Sequence, residues 1–381
     1  MSFKARRQPL SQRIIEPNAT NKLNLPSGVR PSPLDGRLTT STGTKSLDSL
    51  LAGHVGLALG NVLLVEETGT TDFSGCLLKY YAAEGVVQGH QVHVLGLNES
   101  WGTELPGIAI EKHNSTKSSE SAPVDKMKIA WRYERLGEFG AEAKERTIGP
   151  RNNSLESIFC HDFDLNRRLP ISSYSNIKFV SASNIKKSEA LTSPFTSYLS
   201  HLISQINNSP PNTIHRVVIP SLLSPLFYPA KFCNPSNILQ FFHALRSLLR
   251  KYRSQLTAIV TLPLTLYPRD TGLTRWMEIL SDGVFELAPL TSTVSTTLSS
   301  SVQLAQDETP QGIFRIHRVP IFHEKGGGNY WGGAGDNLAF TLSRRKGLVI
   351  KPFSLPPVDG DPEAARGAPK KVKSNDIDIQ F

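Results

Sequence analysis

Residues 41–90 read STGTKSLDSLLAGHVGLALGNVLLVEETGTTDFSGCLLKYYAAEGVVQGH, and this stretch decides the fold. The apolar run at 61–66 predicts a buried strand, and a loop rich in Gly and Thr follows it. The spacing of apolar residues over 75–87 predicts a helix, and residues 91–97 predict the next strand. Two strands joined by a helical crossover are typical of a parallel sheet.

The same alternation resumes in the second half of the chain. Predicted helices begin at Pro194 and Pro235 and cover 275–280, and predicted strands lie at 176–181, 214–219, 256–262 and 283–287. Short strands without intervening helices follow at 312–319, 338–342 and 347–350. This order predicts an α/β fold: a parallel central sheet flanked by helices, with an antiparallel strand extension.

The 381 residues carry a net charge of +9, which is unevenly distributed along the chain. Residues 1–37 hold seven Lys or Arg and two acidic residues, and their composition predicts a disordered basic N-terminal tail. One domain is expected over 38–353, in which residues from about 111 to 170 form a largely flexible insertion with ordered islands near 127–134 and 163–170. Residues 354–381 predict a disordered C-terminal tail.

Several classes of protein are excluded by composition. The three cysteines are too few and too dispersed for a disulfide scaffold, and no CxxC pair exists for a zinc ribbon or a thioredoxin-like site. The chain has neither a secretory signal nor an apolar run long enough to span a bilayer. We therefore expect an intracellular protein without a metal site or a membrane contact.

The order of motifs in residues 41–90 resembles the opening of RecA-like ATPases of the RadA and KaiC type. In those proteins an STG motif and an LDxLL motif precede the strand that leads into the phosphate loop, and a helix follows the loop. The resemblance covers about fifty residues closely and 37–353 in outline, and it implies a RecA-like fold.

The expected phosphate loop departs from the ATPase pattern. Glu67, Gly69 and Gly75 mark a vestigial loop in which no Lys follows Gly75, although a Lys normally contacts the β- and γ-phosphates. Glu66, Glu67 and Asp72 add negative charge where a triphosphate would lie, and Pro220 follows the strand that should end in a Mg²⁺-binding acid. We therefore expect no ATP cofactor and no catalysis in this chain.

Four further segments resemble the Elongator complex protein 4 family: SGVRPSP at 27–33, KIAWRYE at 128–134, FDL at 163–165 and SDGVFEL at 281–287. The resemblance implies a non-catalytic subunit in a hetero-oligomeric RecA-like ring with proteins 5 and 6 of the Elongator complex. Such a ring binds tRNA and supports modification of the wobble uridine (U34), and the family is also linked to transcription elongation. It further implies the remaining Elongator subunits as partners and a location in cytoplasm and nucleus, for which APKKVK at 368–373 is a weak import motif.

Arg269 and Arg275 are the candidate nucleic-acid residues. They lie at the end of the segment 263–274, which in RecA-like rings faces the pore, although an ordinary solvated loop is an equal alternative. Trp131 and Tyr133 could stack on bases or anchor the insertion instead. Two other functions stay open: an active RecA or RadA-type ATPase in DNA repair, and a purely structural ring subunit without RNA contact.

Overall fold

The computed structural model describes residues 25–51, 54–109, 158–170, 175–180, 194–290, 309–320 and 338–353. The strands, in chain order, are β1 (Val29–Pro31), β2 (Leu38–Thr40), β3 (Leu57–Ala58), β4 (Val62–Glu67), β5 (Gln91–Leu95), β6 (Pro106–Ile108), β7 (Phe163–Arg168), β8 (Ile177–Val180), β9 (His215–Ile219), β10 (Leu256–Pro263), β11 (Gly283–Pro289), β12 (Gly312–Arg318), β13 (Leu338–Ser343) and β14 (Gly347–Pro352). The α-helices are α1 (Lys45–Leu50), α2 (Phe73–Val87), α3 (Glu99–Gly102), α4 (Pro194–Asn208), α5 (Pro235–Lys251) and α6 (Gly272–Leu280), and a 3₁₀ turn covers Ala230–Cys233.

Nine of these strands form one mixed sheet in the order β14-β13-β12-β11-β4-β10-β9-β5-β8. The six strands from β11 to β8 are parallel. The strands β12, β13 and β14 extend this core in antiparallel fashion from β11. The predicted RecA-like α/β architecture is therefore confirmed in its parts: a parallel core, flanking helices and an antiparallel extension.

Two apolar layers cover the two faces of the sheet. Alternate residues of β4 point to opposite faces, so Val62 and Leu64 pack with α4, α5 and α6, whereas Leu63 and Val65 pack with α1 and α2. All six residues of β4 are buried. A strand with helices on both faces is expected to be largely apolar along its length, and this explains why the run at 61–66 was correctly predicted as a buried strand.

The STG motif forms a tight turn that is held by one buried carboxylate. Asp48 accepts hydrogen bonds from the Ser41 hydroxyl, from the Thr42 amide at 2.8 Å and from the Thr42 hydroxyl at 2.7 Å. Gly43 has φ +78°, and a Cβ at this position would lie 2.3 Å from the Tyr80 carbonyl oxygen. The spacing from STG to LD is therefore explained by local hydrogen bonding and close packing.

Arg216 connects this turn to the centre of the sheet. Its fully buried guanidinium donates to the carbonyls of Ser41 (2.8 Å) and Tyr81 (3.0 Å), to Thr40 Oγ1 (2.7 Å) and to His90 Nδ1 (3.0 Å). A buried cation is tolerated only when its donors are satisfied. The residue therefore fixes β2, α2 and β9 relative to one another.

One predicted boundary changes in the structure. Residues 29–31 pair with 38–40 as an antiparallel ladder, so the predicted tail boundary at residue 37 is too late. The island predicted near 163–170 is strand β7, which pairs with β6, whereas the island near 127–134 lies outside the described residues, as do residues 1–24 and 354–381. None of the helices in the described ranges has the length and apolarity needed to cross a bilayer.

Candidate functional site

The carboxyl end of β4 is the position at which RecA-like proteins are expected to hold phosphate, and here Glu67 occupies it. Its Oε1 accepts the amide of Phe73 at 2.9 Å and the hydroxyl of Thr71 at 2.8 Å, while Oε2 accepts the amide of Ser74 at 2.8 Å. These amides are the first free donors of α2, the groups that bind anions at helix N-termini. The protein's own carboxylate therefore fills the anion position.

Two further features close the loop around Glu67. The amide of Gly69 donates to Thr265 Oγ1 at 3.1 Å, and the Thr265 hydroxyl donates back to the Gly69 carbonyl at 2.9 Å, which ties the loop to the segment after β10. Gly75 lies inside α2, where an added Cβ would fall 2.2 Å from the Asp72 carboxylate. The predicted loop residues thus lie together, but their donors are used within the chain.

A triphosphate does not fit these residues. It would have to displace the Glu67 carboxylate and would face the negative charge of Glu67 and Asp72. Burial raises the pKa of Asp72, and the Glu67 charge raises it further. Lys79 lies one helical turn beyond Gly75 in α2, and its Nζ pairs with Glu104 Oε2 at 2.5 Å.

Pro220 follows β9 directly and supplies no Mg²⁺ ligand. Its carbonyl accepts the Tyr228 hydroxyl at 3.1 Å, so the position is used for packing a buried tyrosine. The prediction that this chain does not hydrolyse ATP stays a prediction, since geometry alone gives no turnover.

On the opposite face of the sheet, Glu66 lies in a cluster of buried acids. It is fully buried, its register partner on β11 is Glu286, and Glu278 approaches from α6. Arg269 provides the positive charge: its Nε lies 3.2 Å from Glu66 Oε2 and 2.7 Å from Glu278 Oε1. Neither oxygen of Glu66 accepts a hydrogen bond from any group in the described residues.

Burial, followed by the charges of Glu278 and Glu286, raises the pKa of Glu66 to about 8, although the charge of Arg269 lowers it. The pKa of Glu286 is shifted in the opposite direction, to a lower value. Its carboxylate accepts from His317 Nε2 at 2.7 Å and from Arg315 at 3.0 Å, and the His317 hydrogen bond is the main cause of its lowered pKa. Glu66 is therefore protonated at neutral pH, whereas Glu286 is ionised.

The two candidate nucleic-acid residues have different surroundings. Arg269 is committed to Glu66 and Glu278 and also lies 3.1 Å from His317 Nδ1. Arg275 is 63% exposed and has one long contact, 3.6 Å, with Glu278 Oε2. It stands beside the half-exposed Trp276 on α6. An RNA contact by either arginine stays a prediction, and Trp131 and Tyr133 lie outside the described residues.

The acid cluster was not predicted from the sequence. Glu66 was predicted as the last residue of the strand 61–66 and also as a charge of the phosphate loop, and the structure places it in β4. Glu278 and Glu286 come from elements more than two hundred residues away. The sequence did contain a sign of this cluster: each of two apolar predicted strands holds a glutamate, at 66 and at 286. A strand covered on both faces should exclude unpaired charge, so these glutamates were expected to have partners.

Comparisons with known proteins give a consistent family. The PAXNEB protein family model matches residues 21–381. The chain is 32% identical to Elongator complex protein 4 of Schizosaccharomyces pombe, with full coverage of both chains. It is 30% identical to Elongator complex protein 4 of Saccharomyces cerevisiae over 92% of this chain and 81% of that one, and 31% identical to Elongator complex protein 4 of Homo sapiens over 87% and 80%. Among solved structures, a KaiC-like protein of Pyrococcus horikoshii aligns with a TM-score of 0.42 and 14% identity, over 82% of this chain and 99% of that one.

Proposed function

We infer the function from the family to which this chain belongs, the PAXNEB family of Elongator complex protein 4. The chain is accordingly an Elongator subunit, and the other subunits of that complex are its partners. We propose that it is non-catalytic and forms a hetero-oligomeric ring with Elongator proteins 5 and 6. The ring binds tRNA and supports modification of the wobble uridine, in cytoplasm and nucleus.

The placement of Glu67 carries this proposal. Its carboxylate accepts both first amides of α2, and a nucleotide would have to compete with an anion that is covalently part of the chain. The same contacts satisfy the first amides of α2 without any ligand. We infer that this subunit contributes a preformed structural unit to the ring and that any nucleotide turnover belongs to other subunits.

RNA contact is supported by the exposed end of α6. Arg275 offers a guanidinium to phosphates, and Trp276, which is 52% exposed, offers a ring on which a base can stack. The basic segment before β1 is the competing RNA contact. Residues 1–24 carry five Lys or Arg and one Glu.

The experiment combines assembly and salt-dependent binding. The full chain is co-purified with proteins 5 and 6, the assembly is measured by light scattering, and tRNA affinity is then titrated against salt. Arg275→Ala should weaken binding several-fold and lower the log–log salt slope by about one unit or slightly less. Arg269→Ala is the matched control, because that guanidinium already pairs with the Glu278 carboxylate at 2.7 Å.

Deletion of residues 1–24 distinguishes the tail from α6 and leaves β1 intact. If the deletion weakens binding and Arg275→Ala does not, the tail is the contact. Unchanged affinity in both variants would reject RNA binding by this subunit and leave a purely structural role. Failure to assemble with proteins 5 and 6 would reject the ring itself.

A further inference from the structure

Acidic residues are absent from one long stretch of the chain. No Asp or Glu occurs between Glu189 and Asp270, although the whole-chain frequency of 33 acids in 381 residues would place about seven there. Seven Lys or Arg lie in the same stretch. It includes α4 and α5, which cover one face of the sheet. These two helices therefore present no carboxylate of their own that would repel an anion.

Four of the seven cations lie together at the end of α5. Arg246 and Arg250 are four residues apart, so they share one side of the helix. Lys251 is the last helical residue, and Arg253 follows in the turn that leads into β10. The four residues span about 10 Å, since each residue of a helix rises about 1.5 Å. They are called the α5 basic group below.

A single carboxylate pairs with the α5 basic group in the part of the chain that the structure describes. Asp282 Oδ1 lies 3.7 Å from Arg250 Nη2, and the Arg250 side chain is still 53% exposed. Burial raises the pKa of Asp282, and the charges of Arg246, Arg250 and Arg318 lower it. Three guanidinium groups therefore face one carboxylate.

The other two members of the group form no ion pair with any described residue. Lys251 Nζ lies 5.1 Å from the centre of the Tyr252 ring, a contact that leaves its charge uncompensated. Arg253 is exposed, and its backbone packs on Gly60, where an added Cβ would fall 3.1 Å from the Arg253 Cα. The α5 basic group thus carries an excess of positive charge on a fixed backbone.

The helix dipole explains only part of this pattern. Cations are favourable in the last turn of a helix, where Arg250 and Lys251 lie. Arg253 lies beyond the helix, and the lack of acids from 190 to 269 is unrelated to the stability of one helix end. Recognition of an anion accounts for both observations.

The surroundings of the α5 basic group are typical of a phosphate contact. Protein interfaces have an apolar core, but none of the large exposed apolar residues of the described chain lies between 235 and 255. The exposed neutral neighbours include Ser247 and Ser254, and serine hydroxyls commonly donate to phosphate oxygens. Arginines accompanied by hydroxyl groups, without an apolar centre, match a nucleic-acid backbone better than an acidic protein.

We propose that the α5 basic group is a second RNA contact of this subunit and binds the phosphate backbone without reading the base sequence. It lies at the amino edge of the parallel strands, because α5 ends just before β10 begins. Arg275 is in the first turn of α6, which follows the carboxyl end of β10, so the two contacts lie near opposite edges of the sheet. This inference rests on the proposed binding of RNA by the ring.

The test measures the affinity of the assembly with proteins 5 and 6 for an unmodified tRNA transcript, by fluorescence anisotropy over a range of salt concentrations. Arg253→Gln should weaken binding several-fold at low salt and lower the log–log salt slope by about one unit or slightly less. The double variant Lys251→Gln with Arg253→Gln should weaken binding about tenfold and lower the slope by nearly two units. The loss should be similar for tRNAs of different sequence.

Lys231→Gln is the matched control. Lys231 is exposed and belongs to the same acid-free stretch, but it precedes α5, whose 17 residues separate it from the α5 basic group. That helix is about 25 Å long. The control removes the same charge and should leave affinity and slope nearly unchanged. All these variants replace exposed side chains, so the melting temperature of the assembly should not change.

Unchanged affinity in Arg253→Gln and in the double variant, while the unchanged assembly binds tRNA, would overturn this inference and leave the proposed RNA contact to α6 or to the tail. Absence of tRNA binding by the unchanged assembly would instead reject the proposed function, and this inference with it. An equal loss in Lys231→Gln would show a general effect of charge and would also overturn the site. Tighter binding of a polyglutamate peptide than of tRNA at equal salt would assign the group to an acidic protein.

Discussion

At the end of β4, two adjacent glutamates lie on opposite faces of the sheet and have opposite electrostatic surroundings. Glu67 lies on the face of α2 and meets three donors, whereas Glu66 lies on the face of α6 and meets two carboxyl groups and one arginine. The two glutamates are adjacent in the chain. The pleat of the strand alone sends one acid to a helix N-terminus and the other into a group of acids.

The charge of a motif therefore does not determine its role. As a sequence, Glu66-Glu67 reads simply as two negative charges at a phosphate loop. In the structure, the Glu67 carboxylate accepts the Ser74 amide at the start of α2 and stabilises the fold, whereas Glu66 retains its proton at neutral pH. The variants below separate the two roles.

The largest effect is expected for Glu67→Ala. Removal of the carboxylate leaves the amides of Phe73 and Ser74 without acceptors at the start of a buried helix. We expect a loss of about 2–4 kcal/mol in the free energy of unfolding, measured with urea. Glu67→Gln keeps an acceptor oxygen and should lose less, and an alanine variant within about 0.5 kcal/mol of the unchanged protein would contradict the capping role.

The second effect is the pH dependence caused by Glu66. The folded chain holds this proton up to about pH 8, whereas the ordinary glutamate value is 4.5. The contribution is therefore fully present below about pH 4.5 and is lost as pH rises to about 8. Glu66→Gln mimics the protonated acid, so it should flatten this decline and be more stable above pH 8 by about 1–3 kcal/mol.

Glu286→Gln is the control with the opposite sign. The lowered pKa of Glu286 means that its ionised form stabilises the fold above its unfolded pKa, and this stabilisation is lost as pH falls through the lowered value. The variant should therefore be destabilised at neutral pH. Comparing each variant with the unchanged protein at the same pH cancels the contributions of the buried histidines. Parallel pH curves for Glu66→Gln and the unchanged protein would count against a raised pKa.

A smaller effect is expected for Arg269→Ala. Loss of this guanidinium leaves Glu66 and Glu278 without their cation, so stability should fall by about 1–2 kcal/mol at pH 8 and by less at pH 5, where Glu66 holds its proton. Arg275→Ala removes only one long, exposed pair and should change stability by less than about 0.5 kcal/mol. If both variants lost the same amount of stability, Arg269 would not be stabilising the acid cluster.

The smallest effect is expected for Mg·ATP. Calorimetric titration of the isolated full chain should give no measurable heat of binding, because the Glu67 carboxylate already satisfies the amides that a phosphate needs. Binding at micromolar concentration would refute this. ATP turnover by an assembled ring would not bear on the result, since partner subunits could provide it.

Local periodicity was sufficient to predict most of the sheet and helices. The stripe on α5 and the continuous apolar run of β4 are properties of neighbouring residues, so they are visible in the sequence. The strand β1 was missed because it has three residues and contains Pro31, and its pairing with β2 is a tertiary contact.

The site was predicted less completely, for a similar reason. The residues of the phosphate loop are contiguous, so the sequence locates them. That Glu67 accepts the first amides of α2 depends on the conformation of the turn between them, which the sequence does not reveal. Glu278 reads as an ordinary polar residue on α6, and only the sheet order brings it to Glu66. The burial of Arg216 likewise depends on acceptors from residues 40, 41, 81 and 90.

The sheet order also has a consequence for synthesis on the ribosome. β4 is translated early, but its two neighbours are β10 and β11, which end at residues 263 and 289. A nascent chain therefore carries a buried, largely apolar strand with both edges unpaired until residue 263, more than two thirds of the way along the chain, has emerged. Open edges of this kind invite pairing with other chains, and such long-range pairing is slow. Truncated products that end before residue 256 should consequently depend on chaperones and be degraded rapidly.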